Sequence, residues 1–215
     1  MNADRLATLR AEYADAGLDE SAAGDDPIAL FARWFDEAVA SGLHEPNAMA
    51  VATAGRSGAP TVRFVLLKGF DADGFSFYTN YGSRKSRELD ADPRCGLVFA
   101  WHPMGRQVRV DGAAARMSAA ESDAYFATRP RESQLGAWAS PQSEIVADRA
   151  ELDRAYTEAA ERFADADTVP RPPHWGGWRV TPYTIEFWQG RVGRMHDRLR
   201  YERTDGEWRR SRLAP

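Results

Sequence analysis

Ala48-Met-Ala-Val-Ala-Thr53, Gly55-Arg-Ser-Gly58, Thr61-Val-Arg-Phe-Val-Leu-Leu-Lys68, Asp71-Ala-Asp-Gly74 and Phe75-Ser-Phe-Tyr-Thr79 follow one another with little between them. Three short apolar runs rich in β-formers are separated by two glycine-containing turns, which is the pattern of consecutive antiparallel strands. Two more strands follow at Arg94–Trp101 and Arg106–Arg116, joined through Pro103-Met-Gly105. Short strands with tight turns at this spacing predict an antiparallel sheet closing into a barrel.

Helices are predicted around this sheet, so the fold class is mainly β with peripheral helices (α+β). Asp26-Pro27 opens one, with Asp as N-cap and Pro at the first helical position. Ile28, Phe31, Phe35 and Ala38 form its apolar stripe, Trp34 lies beside it, and Gly42 ends it. Ser83–Asp90 is short and helical. Ser118-Ala-Ala-Glu121 is a capping box that starts a helix running to about Arg129, where Pro130 stops it. Asp148–Phe163 carries Leu152, Ala155, Tyr156, Ala159 and Phe163 on one stripe. Strands return at Trp178–Thr181, Tyr183–Trp188, Gly193–Tyr201 and Trp208–Leu213. Residues 1–25 read as a mobile N-terminal arm. Residues 26–215 read as a single domain with a helical insert at about 118–165.

Of the 28 cationic residues, only Lys68 and Lys85 are lysines. A net charge of −4 gives no reason to expect bulk binding to nucleic acid or anionic membrane, so any anion site is local. Cys95 is the single cysteine and sits in an apolar run, where a buried core role is expected. The N-terminus has charges throughout and no apolar leader, which predicts a soluble cytoplasmic protein. Four scattered histidines and one cysteine offer no metal-ligand spacing, and His44, His102 and His174 read as loop residues.

Several segments carry chemistry. In Glu186-Phe-Trp-Gln-Gly-Arg-Val-Gly-Arg-Met-His-Asp-Arg198, strand alternation places Arg194, His196 and Arg198 on one face, a poor core and a good anion site. Phe77-Tyr-Thr-Asn-Tyr-Gly-Ser-Arg-Lys85 runs from a strand into a glycine turn and a helix start. There Ser83, Arg84, Lys85 and backbone N–H groups converge as a phosphate requires; the competing reading is a capped surface helix. Arg63 and Lys68 face opposite sides of a regular strand, so one sits where the strand ends or bulges, or both merely snorkel. Gln107 shares a face with Arg109 and can bond a heteroaromatic ring edge or line an exposed sheet face. Tyr125, Arg129 and Ser133 are spaced by four across Pro130, a second phosphate grip if the chain brings them together. Trp138 and Gln142-Ser143 fall in a polar turn, and Trp175-Gly-Gly-Trp178 reads as a tight bend beside aromatic packing.

Taken together, these segments resemble the pyridoxamine/pyridoxine 5′-phosphate oxidase family. The matching pieces are Leu9-Arg-Ala-Glu-Tyr13, Arg63 to Lys68, Phe77 to Asn80, Ser83-Arg-Lys85, Arg106-Gln-Val108, Tyr125 to Gln134, Gly136-Ala-Trp138, Gln142-Ser143, Trp175-Gly-Gly177, Glu186 to Gln189, Arg194 to Arg198 and Arg212-Leu-Ala-Pro215. They span nearly the whole chain. Ala11 and Met195 are small departures from the family pattern.

The resemblance implies an FMN-binding split β-barrel working as a homodimer with FMN at the interface. It implies oxidation of pyridoxamine or pyridoxine 5′-phosphate to pyridoxal 5′-phosphate, by hydride transfer to FMN and reoxidation by O2 to H2O2. FMN contacts carried over are Arg63, Phe64, Val65, Leu66, Leu67, Lys68, Tyr78, Thr79, Arg84, Lys85, Gln107, Gln142, Ser143, Trp188 and Arg198. Substrate contacts are Arg10, Tyr13, Lys68, Tyr125, Arg129, Ser133, Arg194, Met195 and His196, with Arg194 and His196 as the catalytic pair. Alternatives are a split-barrel flavin oxidase of the phenazine-biosynthesis type, a non-catalytic flavin- or haem-binding split-barrel protein, and an anion-binding interaction module.

Overall fold

The computed structural model describes residues 17–215. Arg10 and Tyr13 lie outside the described residues. In chain order the elements are α1 (Glu20–Ala23), α2 (Pro27–Ala40), β1 (Ala48–Ala54), β2 (Pro60–Leu66), β3 (Gly69–Asp71), β4 (Gly74–Asn80), α3 (Arg84–Ala91), β5 (Arg94–Trp101) and β6 (Arg106–Arg116). They continue with α4 (Ala119–Ala127), α5 (Arg131–Ala139), α6 (Arg149–Arg162), β7 (Trp175–Gln189), β8 (Asp197–Thr204) and β9 (Glu207–Arg212). The strands form one nine-stranded sheet in the order β2-β1-β5-β6-β7-β4-β3, with β8 pairing β7 and β9 pairing β8. The mainly β, helix-flanked class is the one expected. The chain divides into two compact units.

One unit comprises residues up to Met49, Leu97–Asp111 and Tyr183–Pro215. Its helix α2 starts as predicted: the Asp26 carboxylate accepts the Ile28 N–H at 2.8 Å and Pro27 occupies the first turn. The buried stripe is rotated from the expected one. Leu30, Phe31, Trp34 and Ala38 are buried, whereas Ile28 and Phe35 are only half-buried. Phe31 packs edge-on to Phe99 at 4.9 Å and Trp34 edge-on to Phe187 at 5.3 Å. Each such buried aromatic contributes on the order of 2 kcal/mol.

Residues 18–25, expected in the arm, are pinned within this unit. The Leu18 N–H donates to the Asp197 carboxylate at 2.9 Å, Arg212 donates to the Leu18 carbonyl at 2.9 Å, and the Tyr201 hydroxyl donates to the Gly24 carbonyl at 2.7 Å.

The strand expected from Gly193 begins at Asp197. Val192–Arg194 form a 3-10 turn in which Gly193 has φ 66 and Arg194 has φ 62. Two successive left-handed residues turn the chain and end any period-two alternation. Of Arg194, His196 and Arg198, only Arg198 sits on a strand, paired with Trp188. The single cationic face expected here does not arise from strand geometry.

The other unit comprises Ala50–Gly96 and Gly112–Pro182. Strand β7 runs unbroken through Trp175-Gly-Gly-Trp178, which is therefore extended and not a bend. Its glycines face β4 in the register Tyr78↔Gly177 and Thr79↔Gly176. A Cβ on Gly177 would lie 2.9 Å from Tyr78 Cε1, and one on Gly176 would lie 2.2 Å from the Tyr81 hydroxyl oxygen. The glycines thus let two tyrosines pack directly on the strand. Pro130 is the N-cap of α5 and separates it from α4. Trp138, expected in a polar turn, is on α5 and packs against a core of Phe126, Leu135, Ala137, Phe163, Val169 and Trp175.

Candidate active site

Within the second unit a cavity of about 760 Å³ is lined by residues from β2, β4, the start of α3, the α4–α5 link, α5 and Trp175. That volume suits a cofactor-sized ligand. Phe64, Val65, Leu66, Lys68, Tyr78, Thr79, Lys85, Tyr125, Arg129, Ser133 and Gln142 all line it, so most of the expected ligand residues of this unit converge. Leu67 is buried in the core and does not line it. Strand β2 ends at Leu66, which resolves the facing problem: Arg63 stays on the strand while Lys68 lies beyond it and reaches the cavity. Tyr125 is on α4, Arg129 in the link and Ser133 in the first turn of α5. The Pro130 break is what lets the trio share one wall.

The wall is aromatic. Tyr78 stacks on Tyr125 with ring centres 3.9 Å apart, and both lie nearly parallel to Trp175. Trp175, expected in aromatic packing, also lines the cavity; the glycine pair beside it is the sequence signal that a side chain passes close by.

Two cations that line the cavity, the buried Lys85 and the half-buried Arg129, have no carboxylate partner among the described residues. The Lys85 ammonium, 8% exposed, donates to Thr79 Oγ1 at 2.9 Å, Gln142 Oε1 at 3.1 Å and Ser83 Oγ at 3.3 Å. Burial, with a smaller effect from Arg63, pulls its pKa down to about 8. The Arg129 guanidinium lies 4.6 Å from the Trp175 ring centre, and its Nη1 is buried without a hydrogen bond. An unpaired buried donor costs roughly 1–3 kcal/mol until a ligand satisfies it.

Arg63 and Arg84, expected with Lys85 among the FMN contacts, do not line the cavity. Both bind Glu88, a carboxylate one turn along α3: Arg84 Nε donates at 2.8 Å and Arg63 Nη2 at 3.3 Å. Thr53 and Thr61 hydroxyls donate to the same carboxylate at 2.6 and 2.5 Å. Burial alone would raise the Glu88 pKa, but these four hydrogen bonds lower it to about 2. Ser143 sits in an exposed turn with φ 73, beside Glu144, which Arg87 holds at 2.6 Å.

The remaining expected residues belong to the first unit. Gln107 lies on β6 and is half-buried. Arg198 forks onto Glu186 at 2.8 Å and donates to the Ala214 carbonyl at 3.0 Å. Glu186 is 4% exposed and also faces Arg109 at 3.3 Å. Arg194 and Met195 project from the turn and are exposed. His196 packs its ring 4.7 Å from Trp188. Its Nδ1 accepts the Arg191 backbone N–H at 3.0 Å, so the neutral ring carries its proton on Nε2. Asp197 accepts from Leu18 N–H, Arg191 and Arg212. Burial opposes ionisation, but those bonds outweigh it and keep the carboxyl below its ordinary range.

Among the described residues no group of three or more His, Cys, Asp and Glu is placed to hold a metal, and no helix is long and apolar enough to cross a membrane. Cys95 is buried, as expected.

Residues 35–188 match the family described as pyridoxamine 5′-phosphate oxidase, and residues 175–215 match the pyridoxine 5′-phosphate oxidase C-terminal dimerisation region. A relative from Rubrobacter xylanophilus, named pyridoxine/pyridoxamine 5′-phosphate oxidase, is 61% identical, covering 98% of this chain and 96% of its own. One of the same name from Synechocystis sp. is 53% identical over the whole of both chains. Among solved structures, PhzG from Burkholderia lata 383, in complex with tetrahydrophenazine-1-carboxylic acid, superposes with a TM-score of 0.87 at 32% identity, covering 94% of this chain and 99% of its own.

Fold and site together define a split-barrel oxidoreductase. Within that class, the chain belongs to the pyridoxamine 5′-phosphate oxidase family.

Proposed function

We propose that the protein oxidises pyridoxamine 5′-phosphate, pyridoxine 5′-phosphate or both to pyridoxal 5′-phosphate, as a cytoplasmic homodimer with FMN at the subunit interface. The observation that carries this reading is the pair of cations that line one cavity, the buried Lys85 and the half-buried Arg129 with its buried Nη1, neither of them ion-paired to a carboxylate among the described residues. Two separate cations with polar neighbours fit two phosphates, one on the cofactor and one on the substrate.

Lys85, Thr79 and Gln142 form one polar end, suited to the FMN phosphate. Arg129, Tyr125, Ser133 and Lys68 form the other, suited to the phosphate of the substrate. Bound FMN supplies the hydride acceptor and the route to oxygen. The protein's part is to bind, align and exclude water. The Tyr78–Tyr125 pair, stacked face to face and nearly parallel to Trp175, supplies aromatic surface beside which a planar ring can pack. Arg194 and His196, carried over by the family match, orient the substrate and hold the proton of its C4′ amine or hydroxyl. In His196 the Arg191 N–H on Nδ1 fixes which nitrogen carries the proton.

The test is to incubate purified protein with FMN, oxygen and each substrate in turn. Aldehyde formation is expected, with ammonia also released from the amine. No aldehyde from either substrate with FMN-loaded protein would overturn the reading.

A further inference from the structure

Glu88 is a buried carboxylate on α3, three residues beyond Lys85, and the reaction has no direct use for it. It is 8% exposed and accepts four hydrogen bonds, two from threonine hydroxyls on β1 and β2 and two from Arg63 and Arg84. Thr53 and Thr61 are parts of the sheet, so they hold the carboxylate stationary. Arg63 is held further by the Val51 carbonyl at 3.1 Å and by Thr53 Oγ1 at 2.5 Å.

Resting on the FMN reading above, we propose that Glu88 is a positioning residue for the cofactor's phosphate, acting through Arg63 and Arg84.

The charge balance supports this. Lys85 lines the cavity, while Arg63 and Arg84 stand behind it on Glu88; their three positive charges less the one of Glu88 leave a net two to act on a phosphate dianion in the cavity. Without the carboxylate, the guanidinium charge of Arg63, which Lys85 already feels, and that of Arg84 lose their shared counter-ion. The carboxylate also fixes the two guanidinium planes, so less side-chain freedom is lost when an anion arrives. Simple charge counting predicts the opposite outcome: a carboxylate near an anion site repels the anion, and removing it tightens binding. The two accounts therefore differ in sign.

The experiment titrates apo-protein with FMN and, separately, with riboflavin, which has the ring system but no phosphate; quenching of flavin fluorescence reports binding. Glu88→Gln keeps the shape of the side chain and removes its charge. We expect FMN to bind about tenfold more weakly and riboflavin to be unaffected. Glu88→Asp should recover part of the loss. FMN affinity equal to or tighter than wild type would overturn the proposal, as would an equal weakening for FMN and riboflavin. Should Glu88→Gln not fold, Thr61→Val removes one anchor of the carboxylate. It should weaken FMN severalfold and leave riboflavin unchanged; unchanged FMN affinity overturns the proposal. A wild-type protein that takes up no FMN would overturn the cofactor reading itself, which is a different outcome from wild-type binding with unaltered variants.

Discussion

The Arg129 guanidinium lies 4.6 Å from the ring centre of Trp175, with its Nη1 buried and without a hydrogen bond. The ring holds the cation by its face and leaves the N–H edge for an anion. Burial also lowers the Arg129 pKa from its ordinary value, although an arginine stays charged at any physiological pH.

Arg129→Ala should therefore raise KM for the phosphorylated substrate by about 10²-fold, the loss of a charge-assisted contact worth roughly 2–3 kcal/mol. FMN affinity should change little. Steady-state kinetics beside a flavin titration checks this; a loss of FMN binding with unchanged KM would assign Arg129 to the other phosphate.

Lys85 predicts a pH dependence of cofactor binding. In the ligand-free protein its pKa is pulled down to about 8, chiefly by burial. Below that pH the ammonium is present to meet a phosphate; above it the charge is lost. FMN affinity should fall as pH rises from 7 to 9, riboflavin affinity should not, and Lys85→Met should bind FMN weakly with a flat profile. For folding the sign is reversed. The folded pKa lies below the ordinary 10.5, so the buried ammonium costs stability below about pH 8. That cost fades between about 8 and 10.5. Chemical denaturation of apo-protein across this range measures it.

Asp197 clamps the turn that carries the expected catalytic pair. Its carboxylate binds the Arg191 side chain at 3.2 Å, and the Arg191 N–H in turn donates to His196 Nδ1. Asp197→Asn weakens the grip on Arg191, Arg212 and the Leu18 N–H together. Turnover should fall about tenfold while FMN affinity stays within twofold of wild type. Equal losses in both would mean the change acts on the fold as a whole.

Much of the sheet was legible in the sequence because its strands are bounded by strong local signals. Arg94–Trp101 and Arg106–Arg116 match the observed strands to the residue, with Pro93 before one and Gly105 before the other. Residues 193–196 carry an alternating charge that mimics a strand, and one glycine is a weak sign that both Gly193 and Arg194 adopt positive φ. On α2, Phe31 and Ala38 are buried as the periodicity predicts, but Leu30 and Trp34, equally apolar, are buried in place of Ile28 and Phe35; only the packing of Trp34 on Phe187 decides between them. At the site, Lys85 and Arg129 stand out in composition and motif, and both line the cavity. The capture of Arg63 and Arg84 by Glu88 was not, since it depends on threonines from two other strands that only the fold brings near.

The central claim is that one cavity recognises the phosphate of its substrate through the cations that line it. Turnover of pyridoxine 5′-phosphate and of phosphate-free pyridoxine by the FMN-loaded protein tests it most directly, read as aldehyde formed and H2O2 released. The account predicts kcat/KM at least about 10²-fold higher for the phosphorylated substrate. Equal kcat/KM for the two, or no aldehyde from either, would contradict it.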